Sequence, residues 1–167
     1  MMVVIKTEDL AYIAGFLDGD GCIMLQLVYR KDYILGYQIR ASIVFYQKQT
    51  NSYFLEWLKE IFKVGYIRYR NDGMAEYTIV GVNAVKNILE FLSPYLKLKQ
   101  KQSEVALSVL NRMPGYGRKM SVKLLLKLSK EVDKFSFLNY SKKRTNTSEI
   151  VRLFLTKSNL IPVETET

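Results

Sequence analysis

The chain is 167 residues long, with 25 Lys plus Arg against 16 Asp plus Glu, a net charge of +9. It has no histidine and one cysteine, Cys22. That excludes internal disulfides, Cys/His zinc centres and nucleophilic machinery built on histidine, so any catalysis must run on carboxylates, lysine or metal ions.

Apolar residues make up 49% and aromatics 13%, enough for the core of one globular domain. No apolar run approaches the ~18 residues of a membrane span, and Met1 to Lys6 is too short for a secretory h-region. The expectation is an intracellular, soluble protein with no membrane partner. The basic balance suits a polyanion, because Lys and Arg that neutralise phosphates release condensed counterions. Net charge alone does not identify one.

The first helix is expected from an N-cap at Thr7, with Glu8 and Asp9 complementing the helix dipole. Its body, Leu10 to Leu17, is apolar almost all round and needs burial on more than one face. Asp18-Gly19-Asp20-Gly21 then ends it. From Cys22 the period becomes two, giving a strand to about Tyr29, a charged turn at Arg30-Lys31-Asp32, and a second strand from about Leu35 to Tyr46. Tyr37, Ile39, Ala41, Ile43 and Phe45 share the core side of that hairpin, while Gln26, Gln38, Arg40 and Ser42 face water.

Thr50 to Phe62 has amphipathic helical spacing with Phe54, Trp57, Leu58 and Ile61 inward. A second hairpin, Gly65 to Arg70 and Ala75 to Val80, turns at Asn71-Asp72-Gly73. Helices are expected at about Asn83 to Phe91, Lys99 to Arg112, Ser121 to Phe135 and Ser148 to Lys157, with Pro94 and Pro114-Gly115 as stops. The fold class is α+β, ordered α-β-β-α-β-β-α and then helices, with a four-stranded antiparallel sheet. One domain fills 1–167: a core and following helix to 112, C-terminal helices and a basic loop over 113–160, and a flexible tail at 161–167.

The helix-end carboxylate Asp20 adds to the negative end of the dipole, and Gly19 can expose a carbonyl oxygen, a donor pair suited to hard divalent ions. Taken alone, this tetrapeptide reads sooner as a helix stop followed by a solvated turn. The longer run Ile13-Ala14-Gly15-Phe16-Leu17-Asp18-Gly19-Asp20-Gly21 resembles the motif of the LAGLIDADG homing endonucleases. Gln47-Lys48, Gly65 to Arg70, Leu96 to Gln102 and Ser141 to Glu149 extend the resemblance, to the single-motif homodimeric branch, over nearly the whole chain.

The resemblance implies the fold of that family, whose sheet forms a DNA-binding saddle. It implies a site-specific endonuclease making a metal-dependent double-strand break in a long pseudo-palindromic target, which initiates intron mobility. It implies a homodimer seamed along Ile13, Ala14, Gly15, Leu17 and Asp18, with one Asp20 from each chain at the centre. Mg²⁺ is the implied cofactor, with Mn²⁺ or Ca²⁺ able to substitute for binding. By the same resemblance Asp20 and the Gly19 carbonyl hold metal, Gln47 positions the attacking water, and Lys99 is the pocket cation. Products would be a 5′-phosphate and a 3′-hydroxyl. Relatives often carry a second pocket arginine where this chain has Asn51. Asp18, the motif's first acid, is assigned a structural role at the helix end.

Gln26, Arg30, Tyr33, Gln38, Arg40, Arg68, Arg70, Glu76 and Thr78 resemble the family's base-reading surface. Arginine suits guanine and glutamine suits adenine in the major groove. Lys142, Lys143, Arg144, Thr145 and Thr147 form a basic loop suited to phosphates. A wet sheet face and a solvated charge run are the plain alternatives. An RNA-binding intron maturase and a non-cleaving DNA-binding regulator are the rival functions. The implied compartment is an organelle or a prokaryotic cytoplasm.

Overall fold

The computed structural model describes residues 4–139 and 144–162. Helix α1 (Thr7–Asp20) leads into strands β1 (Gly21–Tyr29) and β2 (Tyr37–Lys48). A 3-10 turn at Gln49–Asn51 opens α2 (Ser52–Phe62), and β3 (Tyr66–Tyr69) and β4 (Met74–Val80) complete the sheet. Helices α3 (Val82–Leu92), α4 (Gln100–Arg112), α5 (Val122–Leu138) and α6 (Ser148–Lys157) follow. Strand order is β1-β2-β4-β3, with antiparallel neighbours throughout. This is the expected α+β arrangement.

Alternation along β2 buries Tyr37, Ile39, Ala41, Ile43 and Phe45 in one core with Ile23, Leu25 and Leu27 of β1. Within α2 the fully buried residues are Leu55 and Leu58, while Phe54, Trp57 and Ile61 pack partly buried around them. Gly65 and Gly73 both take positive φ, 84° and 81°. At Gly65 a Cβ would lie 2.5 Å from the Thr78 carbonyl oxygen, so only glycine enters β3 this way.

Two expectations about α1 are corrected. Thr7 is its first helical residue, with Lys6 at the cap position and no capping side chain. At the other end Asp18, Gly19 and Asp20 are still helical. The stop is Gly21, whose N–H donates to the Leu17 carbonyl and whose Cβ, if present, would lie 2.5 Å from the Leu17 side chain.

Of the residues expected at the seam, Gly15 alone lies on the open side of α1. Ile13, Ala14 and Leu17 are fully buried inside their own chain, and Asp18 is nearly so. They face α3, β1, β2 and the 3-10 turn at Ser93–Tyr95, the elements that α1 packs against. An all-round apolar helix does not announce which side belongs to its own core. The side left open carries Glu8, Ala11, Tyr12, Gly15 and Gly19, spaced at three and four residues. A Cβ at Gly15 or Gly19 would meet nothing within 4 Å.

Candidate functional site

Asp20 is exposed at the carboxyl end of α1, one residue before the sheet begins. Two residues earlier, Asp18 points the other way. Its Oδ2 accepts from the backbone N–H groups of Lys97 at 2.7 Å and Leu98 at 3.1 Å, and its Oδ1 accepts from Lys99 at 2.9 Å. Lys99 is the cap residue of α4, so Asp18 satisfies the amides leading into that helix. The Lys99 Nζ in turn donates to the Asp18 carbonyl oxygen. Burial pushes the Asp18 carboxyl up, but the three amides and the Lys99 charge outweigh it and hold the group below its ordinary value.

Burial raises the Cys22 thiol, and the charge of Lys99 acts on it in the opposite sense. The Lys99 ammonium therefore lies within electrostatic reach of Asp18 and Cys22, each two residues from Asp20. Gln47, near the end of β2, accepts from the Lys48 N–H through Oε1 at 2.9 Å. That bond orients the amide and leaves its NH2 group to donate elsewhere. Asn51 closes the 3-10 turn and is exposed.

Among the described residues no group of three or more His, Cys, Asp or Glu could hold a metal ion. The donors that one chain offers here are the Asp20 carboxylate and nearby backbone carbonyls, and both carboxylate oxygens of Asp18 are already engaged. Hard oxygen donors at an open helix end fit Mg²⁺ or Ca²⁺. The set is incomplete in a single chain.

The wet sheet face is ordered by register. Gln26 lies opposite Arg40 and Val28 opposite Gln38. Val44, Thr78 and Tyr66 form one row, and Tyr46, Glu76 and Arg68 the next. Met24, Gln26, Arg40, Ser42, Val44, Tyr46, Tyr66, Arg68, Glu76 and Thr78 line a groove of about 310 Å³. Thr78 and Ser42 form its buried floor.

The arginines differ in what holds them. Arg30 pairs with Asp32 through two bonds of 3.1 and 3.0 Å beyond the end of β1, near the half-buried Tyr33. Arg68 meets Glu76 at 2.7 Å. Arg70 meets Asp72 at 2.6 Å and Glu76 at 3.8 Å. Arg40 has no such partner, and its Nε is buried without one among the described residues. A buried donor in that condition carries an uncompensated desolvation cost.

Lys142 and Lys143 lie outside the described residues. Arg144 turns inward, donating at 3.0 Å both to Asp133 and to the Val132 carbonyl. Thr145 is exposed. The Thr147 hydroxyl caps α6 by accepting from Ile150 N–H. Sequence reasoning missed the carboxylates that hold these arginines, Asp32, Asp72 and Asp133, and two aromatics of the groove, Tyr46 and Tyr66. The period-two pattern carried a signal for both tyrosines, since they share parity with Arg40 and Arg68. It carried none for Asp133.

No helix among the described residues is long and apolar enough to cross a membrane. The model of the LAGLIDADG endonuclease family matches residues 13–107. The DNA endonuclease I-CvuI of Chlorella vulgaris is 39% identical over 147 residues, covering 88% of this chain and 89% of that protein. The DNA endonuclease I-CreI of Chlamydomonas reinhardtii is 36% identical over 148 residues, with 89% of each covered. The crystal structure of I-CvuI with its target in the presence of calcium matches with a TM-score of 0.84 at 38% identity, over 91% of this chain and 95% of that one. The complex of I-CvuI with the I-CreI target in magnesium, its DNA not cleaved, matches at 0.85 and 37% identity over 93% and 97%. Motif, sheet and helix order thus coincide along nearly the full length, and the chain belongs to the LAGLIDADG endonuclease family.

Proposed function

We propose that this chain is a homing endonuclease that acts as a homodimer on double-stranded DNA and cuts both strands of a pseudo-palindromic site, the initiating step of intron mobility. The observation that carries the reading is the placement of Asp20, exposed at the tip of a helix whose open strip includes the small residues Ala11, Gly15 and Gly19, beside an alternating polar sheet face. A two-fold axis along that strip would bring two Asp20 carboxylates together and make two such faces continuous. The solved complexes of I-CvuI with DNA support the same partner here.

Asp20 and the Gly19 carbonyl would hold Mg²⁺, with Mn²⁺ or Ca²⁺ able to occupy the same oxygen donors. A bound divalent ion lowers the pKa of water and neutralises charge building on the scissile phosphate. Gln47 holds the attacking water through its free amide. Water adds to phosphorus, the bond to the 3′ oxygen breaks, and a 5′-phosphate and a 3′-hydroxyl result. Lys99, fixed by the Asp18 carbonyl, supplies a stationary positive charge for the developing anion.

On the sheet, Gln26, Gln38 and Arg40 read bases directly, with Tyr33 and Arg30 at the outer end. Thr78, Arg68, Arg70 and Glu76 act as a coupled group. Lys142, Lys143, Thr145 and Thr147 serve the phosphates, and Arg144 is held instead by Asp133 and the Val132 carbonyl. The test is cleavage of a plasmid carrying the intronless junction of the host gene. Asp20→Asn is expected to lose at least ~10²-fold in cleavage rate while still binding the site. Cleavage at wild-type rate by that variant would overturn the reading.

A further inference from the structure

We propose that the outward face of α5 is a second nucleic-acid surface, one that binds a single strand along its sugar–phosphate backbone. Residues 112 to 144 contain ten Lys and Arg against two acids in a chain whose net charge is +9. Four of those ten sit on α5. Lys123, Lys127, Lys130 and Lys134 recur at four, three and four residues and are all exposed, so they form one stripe roughly 16 Å long at 1.5 Å per residue. The opposite side of the helix is core, with Leu125, Leu128 and Val132 fully buried.

Lys123, Lys127 and Lys130 have no ion pair among the described residues. The acids beside the stripe are Glu131, 3.6 Å from Lys134, and Asp133, occupied by Arg144 at 3.0 Å. Like charges at these spacings work against the helix. Lys123 also stands in the first turn, which has no acidic residue and where a cation opposes the helix dipole. The row is therefore unfavourable in the isolated chain, and a line of phosphates relieves it.

Two features select a single strand. The row runs straight along one helix face, so each backbone of a duplex would wind away from it, while a flexible strand can follow all four lysines. Phe137 continues the same line one turn beyond Lys134 and is 80% exposed, giving a base a ring to stack on. Lysines without an arginine fork make the contact independent of sequence. Because α5 packs beneath β1 and β2 through its other side, the strand and a duplex on the sheet face need not compete.

The test is fluorescence anisotropy with labelled 20-nucleotide RNA and DNA single strands of mixed sequence, run over a salt series. The triple substitution Lys123→Gln, Lys127→Gln and Lys130→Gln is expected to weaken binding at least ~10-fold and to reduce the salt slope by about 2, as three lost phosphate contacts on a single strand predict. Lys→Arg at the same three positions restores both, and Phe137→Ala weakens binding without altering the slope. Cleavage of the duplex target is unchanged in all three variants. The RNA and DNA arms show which strand is preferred. The proposal is overturned by wild-type affinity in the triple Gln variant. It is equally overturned by loss of single-strand binding in Arg40→Ala, which would place that binding on the sheet, or by equal affinity for polyglutamate with no effect of Phe137→Ala, which would make the partner an acidic protein.

Discussion

Asp18 and Lys99 hold each other from opposite directions: the carboxylate of Asp18 accepts the Lys99 backbone N–H at 2.9 Å, and the Lys99 side chain donates to the Asp18 carbonyl. Residues 81 positions apart are thereby fixed across the mouth of the site. The motif's first acid is engaged in structure, and its second stays exposed.

Replacing Asp18 with Ala should therefore damage structure before chemistry. It removes a buried charged acceptor from three amides, which costs roughly 2–3 kcal/mol. Urea unfolding is expected to show that loss, and an unchanged midpoint would refute the role.

The same contact sets an acid limb. Because Asp18 titrates below its ordinary 3.8 in the folded chain, its contribution is complete above that value and disappears as pH falls through the lowered one. Unfolding free energy measured between about pH 5 and pH 2 should fall less steeply in Asp18→Asn than in the parent. Parallel curves would contradict the assignment.

Gly15 separates folding from association. Its Cβ position is open, so Gly15→Glu should leave the thermal midpoint of the subunit intact, with helix propensity raised by up to about 1 kcal/mol. Sedimentation should show a lone subunit, and cleavage should vanish. A stable dimer in that variant would move the seam off α1.

Glu76 governs two arginines at once, at 2.7 and 3.8 Å. Both guanidiniums are substantially exposed, so Glu76→Gln should change stability by no more than ~1 kcal/mol. It should instead release Arg68 toward guanine, with Arg70 still held by Asp72, and broaden or shift the bases accepted at the Arg68 position. Selection from randomised targets reads that outcome directly. An unaltered base profile would show that the carboxylate does not restrain Arg68.

The elements were legible where local chemistry decides them. Alternation marked β1 and β2, Asn71-Asp72-Gly73 marked the turn before β4, and the final helix matched its expected ends. The end of α1 was not, because Gly19 tolerates helix and the actual stop depends on how closely Gly21 approaches Leu17. The open side of α1 was misread for a related reason: Ile13 and Ala14 look no different in sequence from residues awaiting a partner, and only the packing of α3 and the sheet shows them occupied. Motif resemblance is the sole ground on which Asp20, Gln47 and Lys99 are proposed together. It was silent about the carboxylates that tether Arg30, Arg70 and Arg144, since these pairings depend on side-chain geometry or on helices that meet only after folding.

Along the outer edge of β1, the Asn139 amide donates to the Ile23 carbonyl at 2.7 Å and the Asn146 amide to the Leu27 carbonyl at 2.9 Å. Two side chains thus stand in for a missing neighbour strand. A stray polypeptide searching for a ladder to extend along β1 finds those acceptors taken, so this edge is steered away from fibril-like stacking.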